Sequence, residues 1–280
     1  MLSVVLLNYS RPSNIKDFII PSLQKYGIVN EIIISHGKQE SVFKSKHNKV
    51  TNLYHQGSMN KEFGLTLRFV SGAEAKNDYV MIMDDDILPS EQTVQNLYDK
   101  VKKREGIYGL YGRYLDENMG YNKTNAFGKV PIVLTRCLIC TKDMCQYFVD
   151  NFRDYETEKI RNSKPYWNGE DILFSLLSIK KYNRLPEAFD YDHYNTLSDY
   201  LTFGNAISSG VEHDNYRKEL TKDFVSKLSI ENEIKKTEIK KEKSQLGYFY
   251  ENSSLQPIVL TSVFVAILIM VIKINPITKR

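Results

Sequence analysis

The stretch Tyr79-Val-Met-Ile-Met-Asp84-Asp85-Asp86-Ile-Leu-Pro89-Ser90 limits the possible folds of this chain more than any other, because five apolar residues run straight into three carboxylates and then into a helix start. A run that is apolar at every position suits a strand buried on both faces of a parallel sheet. The carboxylates then lie at its carboxyl end, where open α/β sheets bind ligands. Three adjacent acids repel one another unless a cation neutralises them. On an extended chain Asp84 and Asp86 point to the same side, so both can face one divalent ion and the phosphates it carries. The plainer alternative is a solvated acidic turn that caps a helix, which the buried strand in front makes less attractive.

At 280 residues there is room for one large α/β domain with appendages, or for two small ones. Aromatic residues at 12% and hydrophobic residues at 42% supply a real core and exclude global disorder. The net charge of +4 is slight, and no basic stretch is interleaved with stacking aromatics, so a nucleic-acid partner is not expected. Cys137, Cys140 and Cys145 are odd in number and cannot all pair within the chain. The first two are spaced like half of a redox or zinc site, but residues three apart on an apolar strand point to opposite faces. Reduced core thiols are the expectation.

The apolar N-terminal run breaks at Asn8 and Arg11, too short for a secretory signal and better suited to a first buried strand. Residues 258–272 form an uninterrupted run of apolar and hydroxyl side chains, followed by Lys273 and a basic tail. As a helix the run spans about 22 Å, short of the ~30 Å hydrocarbon core unless residues 255–257 and a snorkelling Lys273 extend it. A C-terminal membrane anchor with a cytosolic domain is expected; a buried or amphipathic helix is the alternative, disfavoured by the absence of a polar face. Composition divides the chain into a folded domain over 1–226, a Lys/Glu-rich stalk over 227–256, the anchor over 257–274 and a basic tail over 275–280. In the stalk Ile230 and Ile234 mark a weak helical stripe, which predicts a solvated helix or flexible segment, with contact to an anionic membrane face as the sharper reading.

Elements alternate in the first two thirds. Residues 4–7, 31–34, 79–83, 107–110 and 132–139 read as strands. Between them Val94, Leu97, Tyr98 and Val101 have helical spacing with Ser90 as cap, and Met144, Tyr147, Phe148 and Phe152 repeat the pattern. A third helix follows Glu170, with Ile172, Leu173, Leu176 and Leu177 as its buried stripe. The fold class is therefore α/β, a Rossmann-like, mixed but mostly parallel sheet flanked by helices.

Four further segments bear on the acidic motif. After the first strand, Tyr9 offers a face on which a nucleotide base can stack, and Arg11 can reach phosphate. Arg68 sits on the helix before the acidic strand, where it either points toward a diphosphate or lies on the surface. In Tyr166-Trp167-Asn168-Gly169-Glu170-Asp171 the two acids open a helix, whose free amides favour their ionised form. Anions held there suit a base, a nucleophile or a cation stabiliser; ordinary capping is the alternative. Trp167 can supply an apolar face for a sugar ring. Finally, His213 and Arg217 are i and i+4 on one helix face, either a cation pair awaiting an anion or surface residues paired with Glu212 and Asp214.

In this order, with D-D-D-x-L-x-S, E-D-I and E-H-x-x-x-R, these segments resemble the exostosin-like N-acetylhexosaminyltransferases of family 64. That family retains configuration and uses UDP-sugars on a GT-A (nucleotide-diphospho-sugar transferase) fold. The likeness runs from about Val4 to Phe224. It implies Mn²⁺ or Mg²⁺ as cofactor, a UDP-sugar donor and a glycan or other hydroxyl acceptor. It further implies ribose contact by Asp84, metal ligation by Asp86 with Asp84 beside it, a role for Asp171 and its neighbour Glu170 at the reacting centre, and leaving-group stabilisation by Arg217. Tyr9, Arg11, Arg68, Asp85, Trp167, Asn168 and His213 fall on the substrate-binding side. Two positions depart from the family, whose paired cysteines correspond to Gly169 and Leu220 here, and an anchor at the far end departs from its usual topology. Two rivals stand beside this reading: an inverting family-2-like transferase with Asp171 as base, and a membrane-tethered protein that binds a sugar nucleotide without turnover.

Overall fold

A computed structural model describes residues 1–191, 194–196 and 211–235. In chain order the strands are β1 (Leu2–Asn8), β2 (Val29–His36), β3 (Val50–Tyr54), β4 (Tyr79–Met83), β5 (Ile87–Pro89), β6 (Tyr108–Gly109), β7 (Gly112–Leu115), β8 (Tyr121–Ala126), β9 (Gly128–Lys129), β10 (Ile132–Val133), β11 (Cys137–Thr141), β12 (Glu187–Ala188) and β13 (Tyr194–Thr196). The α-helices are α1 (Ile20–Leu23), α2 (Ser58–Phe63), α3 (Leu67–Ala73), α4 (Glu91–Lys103), α5 (Lys142–Asn151), α6 (Glu158–Arg161), α7 (Glu170–Tyr182) and α8 (Val211–Leu228).

The large sheet has the order β3-β2-β1-β4-β11-β6-β12-β9. Strands β1 to β4 are mutually parallel, and β11 runs antiparallel to both β4 and β6. This is the expected mixed α/β architecture, and its cause is visible in the buried strands: every residue of β1 and all but the first of β4 are buried. From β1 the chain winds outward through β2 and β3, then returns to place β4 on the other side of β1. The order reverses between β1 and β4, and at their carboxyl ends such a reversal leaves a crevice.

Helices α4 and α7 carry the apolar stripes expected of them. Ser90 caps α4 by accepting from Thr93 N at 3.1 Å, and Val94, Leu97, Tyr98 and Val101 are buried beneath it. Ile172, Leu173, Leu176 and Leu177 of α7 are all fully buried. The strand expected over 132–139 is a difference. It breaks into β10, in a small sheet with β7 and β8, and β11, in the large one. The turn between them places Thr135 and Arg136 beside the end of β4, where Asp84 N donates to Arg136 O at 3.1 Å. The three cysteines are free and buried, as expected, with Cys140 Sγ and Cys145 Sγ 3.6 Å apart.

The compact unit runs from Met1 to Ile234, past the boundary expected at 226. Ile230 and Ile234, the apolar stripe assigned to a stalk, are buried in the main core instead. The remainder of the stalk, the anchor over 257–274 and the basic tail lie outside the described residues. Among the described residues no helix is long and apolar enough to cross a membrane.

Candidate active site

The loop after β1 and the turn after β4 meet at the crevice. Strand β4 ends at Met83, so Asp85 and Asp86 belong to a turn and not to an extended chain. The same-side geometry expected for Asp84 and Asp86 therefore does not arise from strand alternation. Instead one nitrogen, Arg11 Nη1, lies 2.7 Å from Asp85 Oδ1 and 3.1 Å from Asp86 Oδ2. Asp84 faces elsewhere, accepting from Arg68 Nη1 at 2.9 Å. Arg136 Nη2 stands 3.8 Å from Asp86 Oδ1, its guanidinium 4.4 Å above the Tyr111 ring. Burial pushes the Asp85 carboxyl up to about 7; Arg11 opposes the shift, while Asp84 and Asp86 add to it.

Arg68 is buried, which decides against the surface alternative. Besides Asp84, its Nη1 donates to Thr135 Oγ1 at 2.6 Å, and its Nε lies 3.5 Å from Glu170 Oε1. The aromatic core explains how the helices bring these groups together. Phe69 of α3 stacks on Phe174 of α7 with centroids 4.1 Å apart, so the residue before Phe69 falls next to the start of α7.

At that start the two acids part company. Asp171 Oδ2 accepts from Arg217 Nη2 at 2.8 Å and its Oδ1 accepts from Ile172 N at 2.9 Å. Burial would raise its pKa, but the charge and hydrogen bond of Arg217 outweigh this and hold it below the usual carboxylate range. Glu170 moves the other way, to about 7, because burial and the Asp171 charge exceed the help of Arg68 and Arg217. The expectation that both acids are held as anions is thus corrected at Glu170. Adjacent carboxyls pushed apart in this way can serve as one proton holder and one fixed anion.

This difference has a measurable sign. A carboxyl raised in the folded state binds a proton that the unfolded chain has released, so between pH 4.5 and about 7 its contribution to stability falls as pH rises. Stability measured by denaturant unfolding from pH 5 to 8 is expected to show this decline, and Glu170→Gln should reduce it. An unchanged slope in the variant would contradict the assignment.

Arg217 itself is buried, with its guanidinium 4.5 Å from the Tyr121 ring of β8. His213 does not form a cation pair with it. Burial and then the Arg217 charge lower the imidazole pKa, and its Nδ1 lies 3.4 Å from Asn168 Nδ2. Asp214, the alternative partner, is bound to Lys123 at 2.7 Å. Tyr9 is 40% exposed, with Lys38 Nζ 5.9 Å from the centroid of its ring. Trp167 is not: it is fully buried, edge-on to Phe152 with centroids 5.0 Å apart, so it cannot offer a face to a sugar. Thr135, Arg136 and Tyr121 were missed, since the pairing of β11 with β4 and of α8 with β8 has no signal in local periodicity.

Positions 169 and 220 face each other. Gly169 has φ +120°, and a Cβ built on it would lie 2.3 Å from Leu220 Cδ2. Leu220, fully buried, fills the space that a side chain at 169 would need.

The residues suit a small divalent cation. Mg²⁺ and Mn²⁺ sites often take one or two protein carboxylates and complete their shell with water and substrate phosphate. Asp86 Oδ1 is buried without a hydrogen-bond partner, with Arg136 Nη2 3.8 Å away. Among the described residues no cluster of three or more His, Cys, Asp or Glu side chains could hold a metal by itself, so phosphate oxygens would have to contribute.

Over residues 2–245 the sequence matches the glycosyl transferase family 64 domain. The chain belongs to this family. Among solved structures, S. aureus TarS 1–349 is similar at 17% identity with a TM-score of 0.43, over 70% of this chain. The chain spans 60% of the length of that TarS chain. No curated protein matches it. In this family 64 domain, the crevice between β1 and β4, Arg68 and the Asp171–Arg217 pair form one continuous array of charge.

Proposed function

We propose that the chain is a metal-dependent glycosyltransferase with a GT-A fold, of the exostosin-like kind. It moves a sugar, an N-acetylhexosamine, from a UDP donor to a glycan or other hydroxyl acceptor, with retention. The observation that carries this reading is the joining of three distant motifs by direct ion pairs: Asp84 to Arg68, Arg68 to Glu170, and Asp171 to Arg217. The Arg68–Glu170 and Asp171–Arg217 pairs are buried on both sides, and ion pairs so placed are costly to build and do little for stability that apolar packing could not do. Their concentration at a topological switch point fits a ligand that carries negative charge.

In this account Tyr9 stacks on the base and Arg11 meets phosphate. Bound between the carboxylates and the diphosphate, the cation would screen the leaving group's charge. Arg217, oriented by Asp171 and Tyr121, takes up charge as the sugar–phosphate bond breaks. The charge and hydrogen bond of Arg217 hold Asp171 below the usual carboxylate range, which makes it a weak proton acceptor. This favours an electrostatic role for Asp171, next to a cationic sugar, over the inverting alternative. Membrane attachment through residues 257–274, with the domain on the cytosolic side, belongs to the same proposal.

Asp86→Asn tests it. The variant should fold, because its side chain sits at the crevice mouth, yet lose most Mn²⁺-dependent UDP binding by calorimetry. Equal UDP affinity in variant and parent, with and without chelator, would rule out the metal assignment.

A further inference from the structure

Between α6 with the loop that follows it and the first turns of α8 lies an open groove of about 540 Å³. Sites that hold small ligands typically enclose about 300–1,000 Å³. None of its lining comes from β1, β4 or the loops after them, so it is separate from the acidic turn. It reaches the reacting centre all the same. Asn168, which is buried, and His213 form its inner end, with Asn168 Nδ2 3.4 Å from His213 Nδ1. Three residues after Asn168 comes Asp171, and four after His213 comes Arg217. Tyr216, also in the lining, donates from its hydroxyl to Asn168 O at 2.7 Å and so ties α8 to this loop.

Part of the polar lining is already engaged within the chain: Ser163 Oγ donates to Ile160 O at 2.7 Å, and Lys159 Nζ lies 3.4 Å from Asp223. Among the described residues, the exposed side chains of Glu158, Asn162, Lys164 and Glu212 have no hydrogen-bond or ion-pair partner. They offer two carboxylates, one amide and one ammonium, a mixture that suits hydroxyl groups, which donate and accept at once. The lining has no positive excess. Two carboxylates stand beside two lysines, one of them taken by Asp223, and His213 is neutral at pH 7 because burial lowers its pKa. We propose that this groove is the acceptor subsite and that it takes an uncharged glycan, whose reacting end lies at Asn168 and His213 and whose next sugars lie against α6. This rests on the transferase reading above and deepens it by naming the acceptor class. An anionic sugar would meet Glu158 and Glu212 with a single uncommitted lysine to offset them, so the lining selects against it.

The experiment measures UDP release by the full chain with UDP-N-acetylhexosamine and Mn²⁺, first alone and then with trisaccharides of N-acetylglucosamine, glucose or galactose, or with a hyaluronan tetrasaccharide that carries uronic acids. At least one uncharged trisaccharide should raise the rate, with kcat/KM at least tenfold above that of the charged tetrasaccharide. Asn162→Ala and Lys164→Ala should each raise the KM for that trisaccharide at least fivefold. Both should leave the donor KM and the release without acceptor unchanged, because these exposed side chains stand outside the acidic turn. Glu158→Gln combined with Glu212→Gln should improve use of the tetrasaccharide at least threefold, a gain that a merely structural role would not produce. Unchanged acceptor KM in both alanine variants, no response to any uncharged trisaccharide, or a preference for the tetrasaccharide would overturn the acceptor subsite, while persistent release from donor alone would leave the transferase standing. Folded protein that releases no UDP under any condition would overturn both.

Discussion

Arg217→Ala should give the largest loss of activity of any single substitution outside the acidic turn. Its guanidinium is buried against Asp171 at 2.8 Å and Tyr121 at 4.5 Å, so removing it leaves a carboxylate charged and buried with no counter-ion. Breaking such a pair typically costs about 3–5 kcal/mol of stability. Loss of a strong contact to transition-state charge adds on the order of 3 kcal/mol to the barrier, about a hundredfold in rate. The two effects are separable. Arg217→Lys keeps the positive charge but not the planar fork or the stacking, so it should retain most of the stability and still release UDP far more slowly. A variant within tenfold of the parent rate and within ~1 kcal/mol of its stability would show that Arg217 has neither role.

The second large effect is expected at Arg68. This side chain binds Asp84, Thr135 and Glu170 at once, and it links α3 to the turn after β4 and to the start of α7. Arg68→Met fills a similar volume without charge and should destabilise the fold by about 1–3 kcal/mol in urea, because Asp84 loses its ion pair and Thr135 and Glu170 lose the group that joins them. Glu170→Gln made in the same background should restore part of this loss. A double-mutant cycle is therefore expected to show an interaction of ~1 kcal/mol or more. Strict additivity of the two substitutions would mean that Arg68 and Glu170 are neighbours without an energetic link.

The acidic strand end, the helix opened by Glu170 and the stripe of α7 were legible because each is a local pattern: an unbroken apolar run, acids at a helix start, apolar residues at helical spacing. What escaped depends on contacts between segments distant in sequence. The apolar stretch over 132–139 reads as one strand, and only the antiparallel pairing of Cys137 with Met83 reveals that it must break to deliver Thr135 and Arg136 to the site. Trp167 illustrates the same gap in reverse. Its position beside the acidic motif suggested a sugar platform, but α5 and the turn after it bring Phe148 and Phe152 against that region, and the indole is consumed by the core. Sequence spacing likewise does not show that Arg11, Arg68 and Arg136 converge on the three acids. The opposed behaviour of Glu170 and Asp171, neighbours of the same chemical type, follows from which one Arg217 reaches.

Transfer with retention is the central claim, and the anomeric configuration of the product tests it most directly. The full chain, UDP-N-acetylhexosamine, Mg²⁺ and a panel of simple glycosides as hydroxyl acceptors should be followed by proton NMR from the first minutes, so that the configuration of the first glycosidic product is read directly. The account predicts UDP formation together with a first product that keeps the donor's α configuration. A first product in the β configuration would contradict retention in favour of the inverting mechanism, and folded protein that releases no UDP would contradict the transferase itself.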